Sequence, residues 1–184
     1  MKKFIIAALL LITPLTSQAL FDVRAGYGVN TLDTDEYGTQ TADNGTGFNV
    51  DLIFEPPLIS DFGIGLRYEM MTYDFNAIGV GTVSEGELDR LSVLINYRFI
   101  DLIAYLGLIG TFGISSDLET NIGGPTVSWN DKLNYSVGVE GGVNLGIITL
   151  GAEVGKLFAT FESPGSTDLE LDGIYAKVLA GFGF

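Results

Sequence analysis

The chain has 184 residues, of which 9 are basic and 23 acidic, and it contains neither cysteine nor histidine. The absence of cysteine excludes a disulfide framework, and the scarcity of cations argues against a nucleic-acid partner, because phosphate binding needs clustered Lys and Arg. Mean hydropathy is nevertheless positive at +0.35, and only 17% of the residues are charged. The composition therefore predicts a protein that places much of its apolar surface somewhere other than water.

The first residues have the pattern of a secretory signal. A basic start is followed by an apolar stretch over residues 4–12, and the small residues Ser17 and Ala19 suit a signal peptidase. We predict a signal peptide over residues 1–19 and a single domain over residues 20–184. The apolar stretch is too short to anchor the chain in a bilayer. Because no later stretch is long enough for a transmembrane helix, a closed β-barrel is the membrane structure that remains.

Eight segments of the predicted domain alternate between an apolar face and a polar or glycine-rich face. They cover residues 21–29, 47–55, 62–72, 88–99, 103–115, 132–145, 149–161 and 173–184. A period of two is typical of a β-strand with one apolar side. The fifth segment is ambiguous, because both of its faces are fairly apolar.

The connectors between these segments alternate in length. Short ones cover residues 56–61, 100–102 and 146–148, and longer polar ones cover residues 30–46, 74–87, 116–131 and 162–168. Short turns at one end and long loops at the other are typical of outer-membrane barrels. The pattern predicts an all-β fold, an eight-stranded antiparallel up-and-down transmembrane β-barrel with both termini on the periplasmic side. A lipocalin-like soluble barrel is the alternative, but its outward faces would be half polar.

The polar faces of the segments carry four cations and four carboxylates. The predicted interior charge network consists of Arg24, Asp51, Arg67, Glu69, Arg98, Glu140, Glu153 and Lys177. An eight-stranded barrel has an interior just wide enough for side chains, and buried charges have to be paired. We therefore expect these residues to hold the barrel together, without a catalytic role, a metal or a cofactor.

Many of the acidic residues fall in or beside the four long connectors. They are Asp33, Asp35, Glu36, Asp43, Asp74, Glu85, Glu87, Asp89, Asp117, Glu119, Asp131, Glu162, Asp168, Glu170 and Asp172. One interpretation is a solvated extracellular rim. The other is a set of weak divalent-cation sites that bridge lipopolysaccharide, since hard cations bind carboxylate oxygens. No connector has EF-hand spacing, so no ligands are assigned.

The last segment carries an apolar row that ends on an aromatic residue. The row consists of Ala176, Val178, Ala180, Phe182 and Phe184. With the signal segment, the eight alternating segments and the connector pattern, it resembles the small eight-stranded outer-membrane β-barrel proteins, a class that includes the OmpA membrane domain, OmpX and OmpW. The resemblance implies that the row is the signal read by the barrel assembly machinery. It also implies outer-membrane lipid and lipopolysaccharide as surroundings, and a monomer.

Three functions remain open at this point. The first is a non-enzymatic barrel that serves envelope integrity or surface interaction. The second is a narrow conduit for small or apolar solutes, as suggested for OmpW-like members. The third is a lipid-modifying barrel enzyme; such enzymes place a histidine in the catalytic set, because a base that titrates near neutral pH activates serine or water. The chain has no histidine, so we expect no enzymatic activity.

Overall fold

The computed structural model describes residues 20–34, 44–56, 61–76, 83–121, 126–162 and 169–184. The predicted signal segment lies outside these ranges. The eight strands are β1 (Phe21–Thr34), β2 (Asn44–Phe54), β3 (Phe62–Asn76), β4 (Val83–Asp101), β5 (Ala104–Asn121), β6 (Val127–Leu145), β7 (Ile148–Glu162) and β8 (Leu169–Gly183). Within the described ranges, no helix is long and apolar enough to cross a membrane.

The strands pair in chain order and the sheet closes on itself. Each strand is hydrogen-bonded to its sequence neighbours, and β1 pairs antiparallel with β8 from Asp22 opposite Gly183 to Thr34 opposite Leu171. Closure removes the free sheet edges that would otherwise expose unpaired backbone groups. The predicted eight-stranded antiparallel up-and-down barrel is confirmed.

One end of the barrel, here called the turn end, holds Phe21, Phe184 and the connectors β2–β3, β4–β5 and β6–β7. The β6–β7 turn has two residues between the strands, and its first residue, Gly146, has a φ of 74°. A side chain is strained in that conformation, so glycine fits the first position of this tight hairpin turn. The opposite end is called the loop end.

The strands extend further toward the loop end than the sequence predicted. Residues 30–34, 74–76, 83–87, 116–121 and 127–131 fall in the predicted long connectors, but they belong to strands. The connector between β5 and β6 is thereby reduced to residues 122–126, which is shorter than the β2–β3 connector at the turn end. The physical reason is that polar residues such as Asp117 and Glu119 interrupt the apolar outward face there, while backbone pairing continues. The predicted difference in connector length between the two ends of the barrel is therefore too large.

The outward face is apolar around the middle of every strand. Exposed residues include Val23, Val50, Leu66, Ile95, Leu108, Val139, Val154 and Val178. A water-facing barrel would alternate polar side chains here, so the structure does not support the lipocalin-like alternative. A ring of exposed aliphatic side chains is the surface that a lipid environment requires.

The ambiguous fifth segment is resolved by a β-bulge. The β4–β5 register shifts between Leu91 and Ser92, so the strand presents Ile109 and Thr111 inward before the shift but Ser116 and Leu118 inward after it. Ile109 packs with buried Ile53 and Leu94. An apolar residue on the inward face explains why both faces of this segment looked apolar in the sequence.

The barrel interior is polar toward the turn end and apolar toward the loop end. The apolar layer consists of the buried residues Met71, Tyr73, Leu88, Leu118, Leu157, Ala159, Phe161, Leu171 and Tyr175, with Trp129 packed against them. The predicted charge network therefore accounts for only part of the interior. Most side chains of this layer belong to the predicted segments, and Leu118 and Trp129 lie in the strand extensions.

Candidate functional site

Among the described residues, the barrel interior holds ten buried charged side chains, five of each sign. They are Arg24, Arg67, Arg90, Arg98 and Lys177, with Asp22, Asp51, Glu69, Glu140 and Glu153. All eight residues of the predicted network lie there, and the structure adds Asp22 and Arg90. The equal number of cations and carboxylates matters because an unpaired charge in a low-dielectric interior is strongly destabilising.

Arg67 is the centre of the network. Its Nε and Nη2 donate to both oxygens of Asp51 at 2.7 and 2.8 Å. Its Nη1 and Nη2 donate to both oxygens of Glu153 at 2.8 and 2.7 Å. Tyr175 adds a hydroxyl donor to Glu153 at 2.7 Å, and the Asn49 amide donates to Asp51 at 2.8 Å. Planar, bidentate pairing of this kind is the geometry that arginine favours with carboxylates.

A second group surrounds Glu69 between Arg67 and the apolar layer. Arg90 Nε donates to Glu69 Oε2 at 2.8 Å, and Lys177 Nζ pairs with the other oxygen of the same carboxylate. Arg90 also donates to Asn134 Oδ1 and to Thr111 Oγ1, both at 2.7 Å. Both oxygens of Glu69 therefore have a cationic partner, and each nitrogen of Arg90 has an acceptor.

A third group, the mouth cluster, lies at the turn end and consists of Asp22, Arg24, Glu55, Arg98 and Glu140. Arg24 donates to Asp22 at 2.6 Å and to Glu140 at 2.7 Å. Arg98 approaches Glu55 at 3.2 Å, Asp22 at 3.5 Å and Glu140 at 3.6 Å. The two arginines thus share three carboxylates, but the contacts of Arg98 are long.

Glu55 is the member of the mouth cluster that lies outside the strands, just after β2. Its side chain is 15% exposed. Burial raises the pKa of Glu55 above its ordinary value, and the positive charges of Arg98 and then Arg24 oppose that increase. Its carboxyl group therefore takes up a proton more readily than an exposed glutamate does.

Large polar side chains occupy the space that interior glycines leave open. A Cβ at Gly155 would lie 2.5 Å from the Tyr175 hydroxyl and 2.5 Å from the Val137 carbonyl oxygen. A Cβ at Gly151 would lie 2.0 Å from the Tyr105 hydroxyl. The glycine-rich inward face found in the sequence thus makes room for tyrosines from other strands, Tyr175 from adjacent β8 and Tyr105 from β5, two strands away.

Asp22 and Arg90 were missed although their positions carried a usable signal. Arg90 lies in the predicted segment 88–99 and has the same parity as Ser92, Asn96 and Arg98 on the inward face of β4. Asp22 lies in the predicted segment 21–29 and has the same parity as Arg24. Counting parity to the ends of the strands would have found both residues.

Acidic residues assigned to the long connectors lie largely on the strand extensions at the loop end. On the outward face, Glu87 lies directly opposite Glu119, and Asp89 lies directly opposite Asp117. Among the described residues, no group of three or more acidic side chains is arranged to hold a metal ion. Asp35, Glu36, Asp43 and Asp168 lie outside the described residues.

The apolar row of β8 faces outward beside the closing seam. Phe182 and Phe184 are exposed, as are Ala176, Val178 and Ala180. Phe21 and Phe184 exchange backbone hydrogen bonds of 3.0 and 2.8 Å, and their ring centroids are 6.1 Å apart. The apolar row of β8 therefore ends at Phe184, where the last strand pairs with the start of β1.

Comparisons with solved structures give the same architecture. Neisserial surface protein A superimposes with a TM-score of 0.56 at 14% identity, covering 89% of this chain and 97% of that one. A major outer membrane protein from Thermus thermophilus gives 0.56 at 14% identity, covering 89% and 99%. Ail of Yersinia pestis, solved with the heparin analogue sucrose octasulfate, gives 0.51 at 15% identity, covering 88% and 97%. The chain has the fold of the small outer-membrane β-barrels.

No protein-family model matches the sequence, and no curated protein is detectably similar to it. Identities of 14–15% to the solved barrels establish the fold alone. The resemblance to small eight-stranded outer-membrane barrels is confirmed at that level. A shared fold does not select a function, which has to be argued from the interior and the surface.

Proposed function

We propose that this protein is a non-enzymatic barrel of the bacterial outer membrane that serves envelope integrity or surface interaction. The observation that carries the proposal is the charge-balanced interior, in which Arg67 is bound to Asp51 and Glu153 from different strands. These side chains occupy the lumen and connect different strands of the barrel wall. The apolar outward face is compatible with a lipid environment. The turn end faces the periplasm in this proposal, and the acidic strand extensions form an extracellular rim. The barrel acts as a monomer in contact with lipid and lipopolysaccharide.

The experiment that tests the role is a deletion strain with a complemented control. We expect the protein in the outer-membrane fraction, with a gel mobility that changes on boiling because detergent does not unfold the barrel. We expect deletion to increase uptake of bulky antibiotics or sensitivity to detergent, and the wild-type gene to restore both. A soluble periplasmic protein whose mobility is the same before and after boiling would contradict the proposal.

A narrow conduit is the alternative, and the interior gives it less support. The Arg67 group crosses the lumen, and the apolar layer fills the interior above it. Purified protein in planar bilayers should therefore be electrically silent. Discrete conductance steps, or solute uptake by proteoliposomes, would favour the conduit.

A lipid-modifying enzyme is the remote alternative. The buried carboxylates Asp51, Glu69 and Glu153 accept hydrogen bonds from arginine, lysine or tyrosine, so none of them is available as a general base. Lipid A acyl composition in the deletion strain should match the wild type. A changed acyl count that purified protein reproduces on lipid A would establish enzymatic activity.

The β8 row is proposed as the contact for the barrel assembly machinery. Phe184→Ala should lower the amount of folded barrel in cells, while the purified variant still refolds in detergent. Phe112→Ala is a matched control, because Phe112 is also an exposed aromatic residue but lies on β5. Equal loss of folded protein for both variants would exclude a specific role of Phe184.

A further inference from the structure

The mouth cluster combines two short hydrogen bonds of Arg24 with several longer ion-pair contacts. The four hydrogen bonds of Arg67 to carboxylates are 2.7–2.8 Å long. In the mouth cluster, by contrast, Arg24 Nη2 is 3.9 Å from Glu55 Oε1, and Arg98 Nε is 3.6 Å from Glu140 Oε1. Separations of this size are too long for a direct hydrogen bond, so these two arginine nitrogens are not bound directly to those carboxylates.

Unpartnered polar atoms gather at the same place. They are Asp22 Oδ1, Arg24 Nη2, Asn96 Oδ1, Arg98 Nε and the Tyr105 hydroxyl. Their residues are between 1% and 5% exposed. Contacts link them: Arg24 binds Asp22, Asn96 donates to Glu140 at 2.9 Å, and the Arg98 guanidinium lies 4.7 Å from the centroid of the Tyr105 ring. Within the described residues, two other buried side-chain atoms share this condition, Asn49 Oδ1 and Ser92 Oγ.

The mixture of donors and acceptors selects the ligand. Two guanidinium nitrogens need acceptors, two carbonyl or carboxylate oxygens need donors, and the tyrosine hydroxyl can do either. An anion would be repelled by Asp22, Glu55 and Glu140, and a cation would be repelled by both arginines. Water donates and accepts without adding charge and is small, and buried waters typically satisfy about three such groups each.

We propose that the mouth cluster is a built binding site for a small group of ordered water molecules. Access is from the turn end, where Glu55 and Asp101 are 15% and 24% exposed. Toward the loop end, the Arg67 group and the apolar layer close the interior. The lumen is thus hydrated from one side only. Hydration explains why ion-pair contacts as long as 3.6 and 3.9 Å are stable in a buried cluster.

Water-edited solid-state NMR of the whole barrel in lipid bilayers tests the site. Magnetisation from water should reach the guanidinium nitrogens of Arg24 and Arg98 several-fold faster than those of Arg67. Arg67 is a matched control, because Arg24 and Arg67 are equally buried at 1% and 0% exposure and differ in their partners. Equal transfer rates at Arg24 and Arg67 would overturn the proposal.

A pair of tyrosine variants gives an independent test. The Tyr175 hydroxyl donates directly to Glu153, whereas the Tyr105 hydroxyl has no protein partner among the described residues. Tyr105→Phe should lower the urea midpoint of unfolding clearly less than Tyr175→Phe, because only water is lost as a partner. An equal or larger decrease for Tyr105→Phe would contradict a water partner at this hydroxyl.

Discussion

Arg67 and Glu153 are 86 positions apart in the chain and bind each other through two hydrogen bonds of 2.8 and 2.7 Å. They lie on β3 and β7, which have three strands between them on either side of the closed barrel. The pair therefore spans the lumen and does not connect neighbouring strands. Ties of this kind resist flattening of the barrel, which hydrogen bonds along the wall do not prevent.

Removing the central cation should destabilise the barrel strongly. Arg67→Met leaves Asp51 and Glu153 buried without their main partner, and breaking a buried ion pair in this way costs about 3–5 kcal/mol. Urea unfolding in lipid vesicles, followed by the fluorescence of the single tryptophan Trp129, measures the loss. Asp51→Asn with Glu153→Gln in the Arg67→Met background should recover part of it.

An exposed ion pair provides the control for this experiment. Lys156 and Asp172 are 3.0 Å apart, with side chains 46% and 44% exposed. Lys156→Met should change the free energy of unfolding by no more than about 1 kcal/mol, as is usual for exposed pairs. A similar loss for Arg67→Met and Lys156→Met would show that the interior network contributes little to stability.

The tyrosine-filled space above the interior glycines should not tolerate even one methyl group. Gly155→Ala places a Cβ against both the Tyr175 hydroxyl and the Val137 backbone, and the backbone cannot move aside as a side chain can. We expect a loss of about 1–3 kcal/mol, as for other overpacked sites. At Gly110 the nearest atom to an added Cβ is 3.6 Å away, so Gly110→Ala should be close to neutral in the same unfolding assay.

Replacing one member of a like-charge pair on the outward face should increase the free energy of unfolding. Glu119→Lys converts the cross-strand pair with Glu87 from repulsion to attraction, a gain of about 0.2–1 kcal/mol. The gain should shrink at high salt, because exposed charges are screened. Glu162→Lys is the control, because Glu162 lies opposite Asn130. An equal gain at both sites would point to net charge and not to the pair.

Protonation of Glu55 should make the folded barrel more stable as the pH falls. Because burial raises the folded-state pKa of Glu55, the folded state binds the proton more tightly than the unfolded state. This contribution is fully present below the unfolded pKa of about 4.3 and is lost as the pH rises through the folded value. The difference in unfolding free energy between wild type and Glu55→Gln, measured from about pH 4 to pH 7, isolates it. A difference that does not vary with pH would contradict the raised pKa.

Parity explains why so much of the interior could be predicted. Successive side chains of a strand point to opposite faces, so the apolar positions around Arg24, Arg67 and Glu153 placed those three charges inside. The same rule failed at β5, because the bulge after Thr111 reverses parity and no residue in the sequence marks it. Polarity is a poorer guide than parity at Phe161 and Leu171, which have the inward parity of Glu153 and Lys177 but are apolar, so residue type alone does not mark them as interior.

The sequence by itself determined the number of strands and, outside β5, which side chains of each segment face inward, because these properties depend on a period of two within each segment. The tertiary structure decided which charges meet. Glu140 could have paired with any inward cation, and the closed sheet brings it to Arg24, 116 positions away. The strand register and the width of the barrel set that choice. Only closure brings strands that are not neighbours within hydrogen-bonding distance across the lumen.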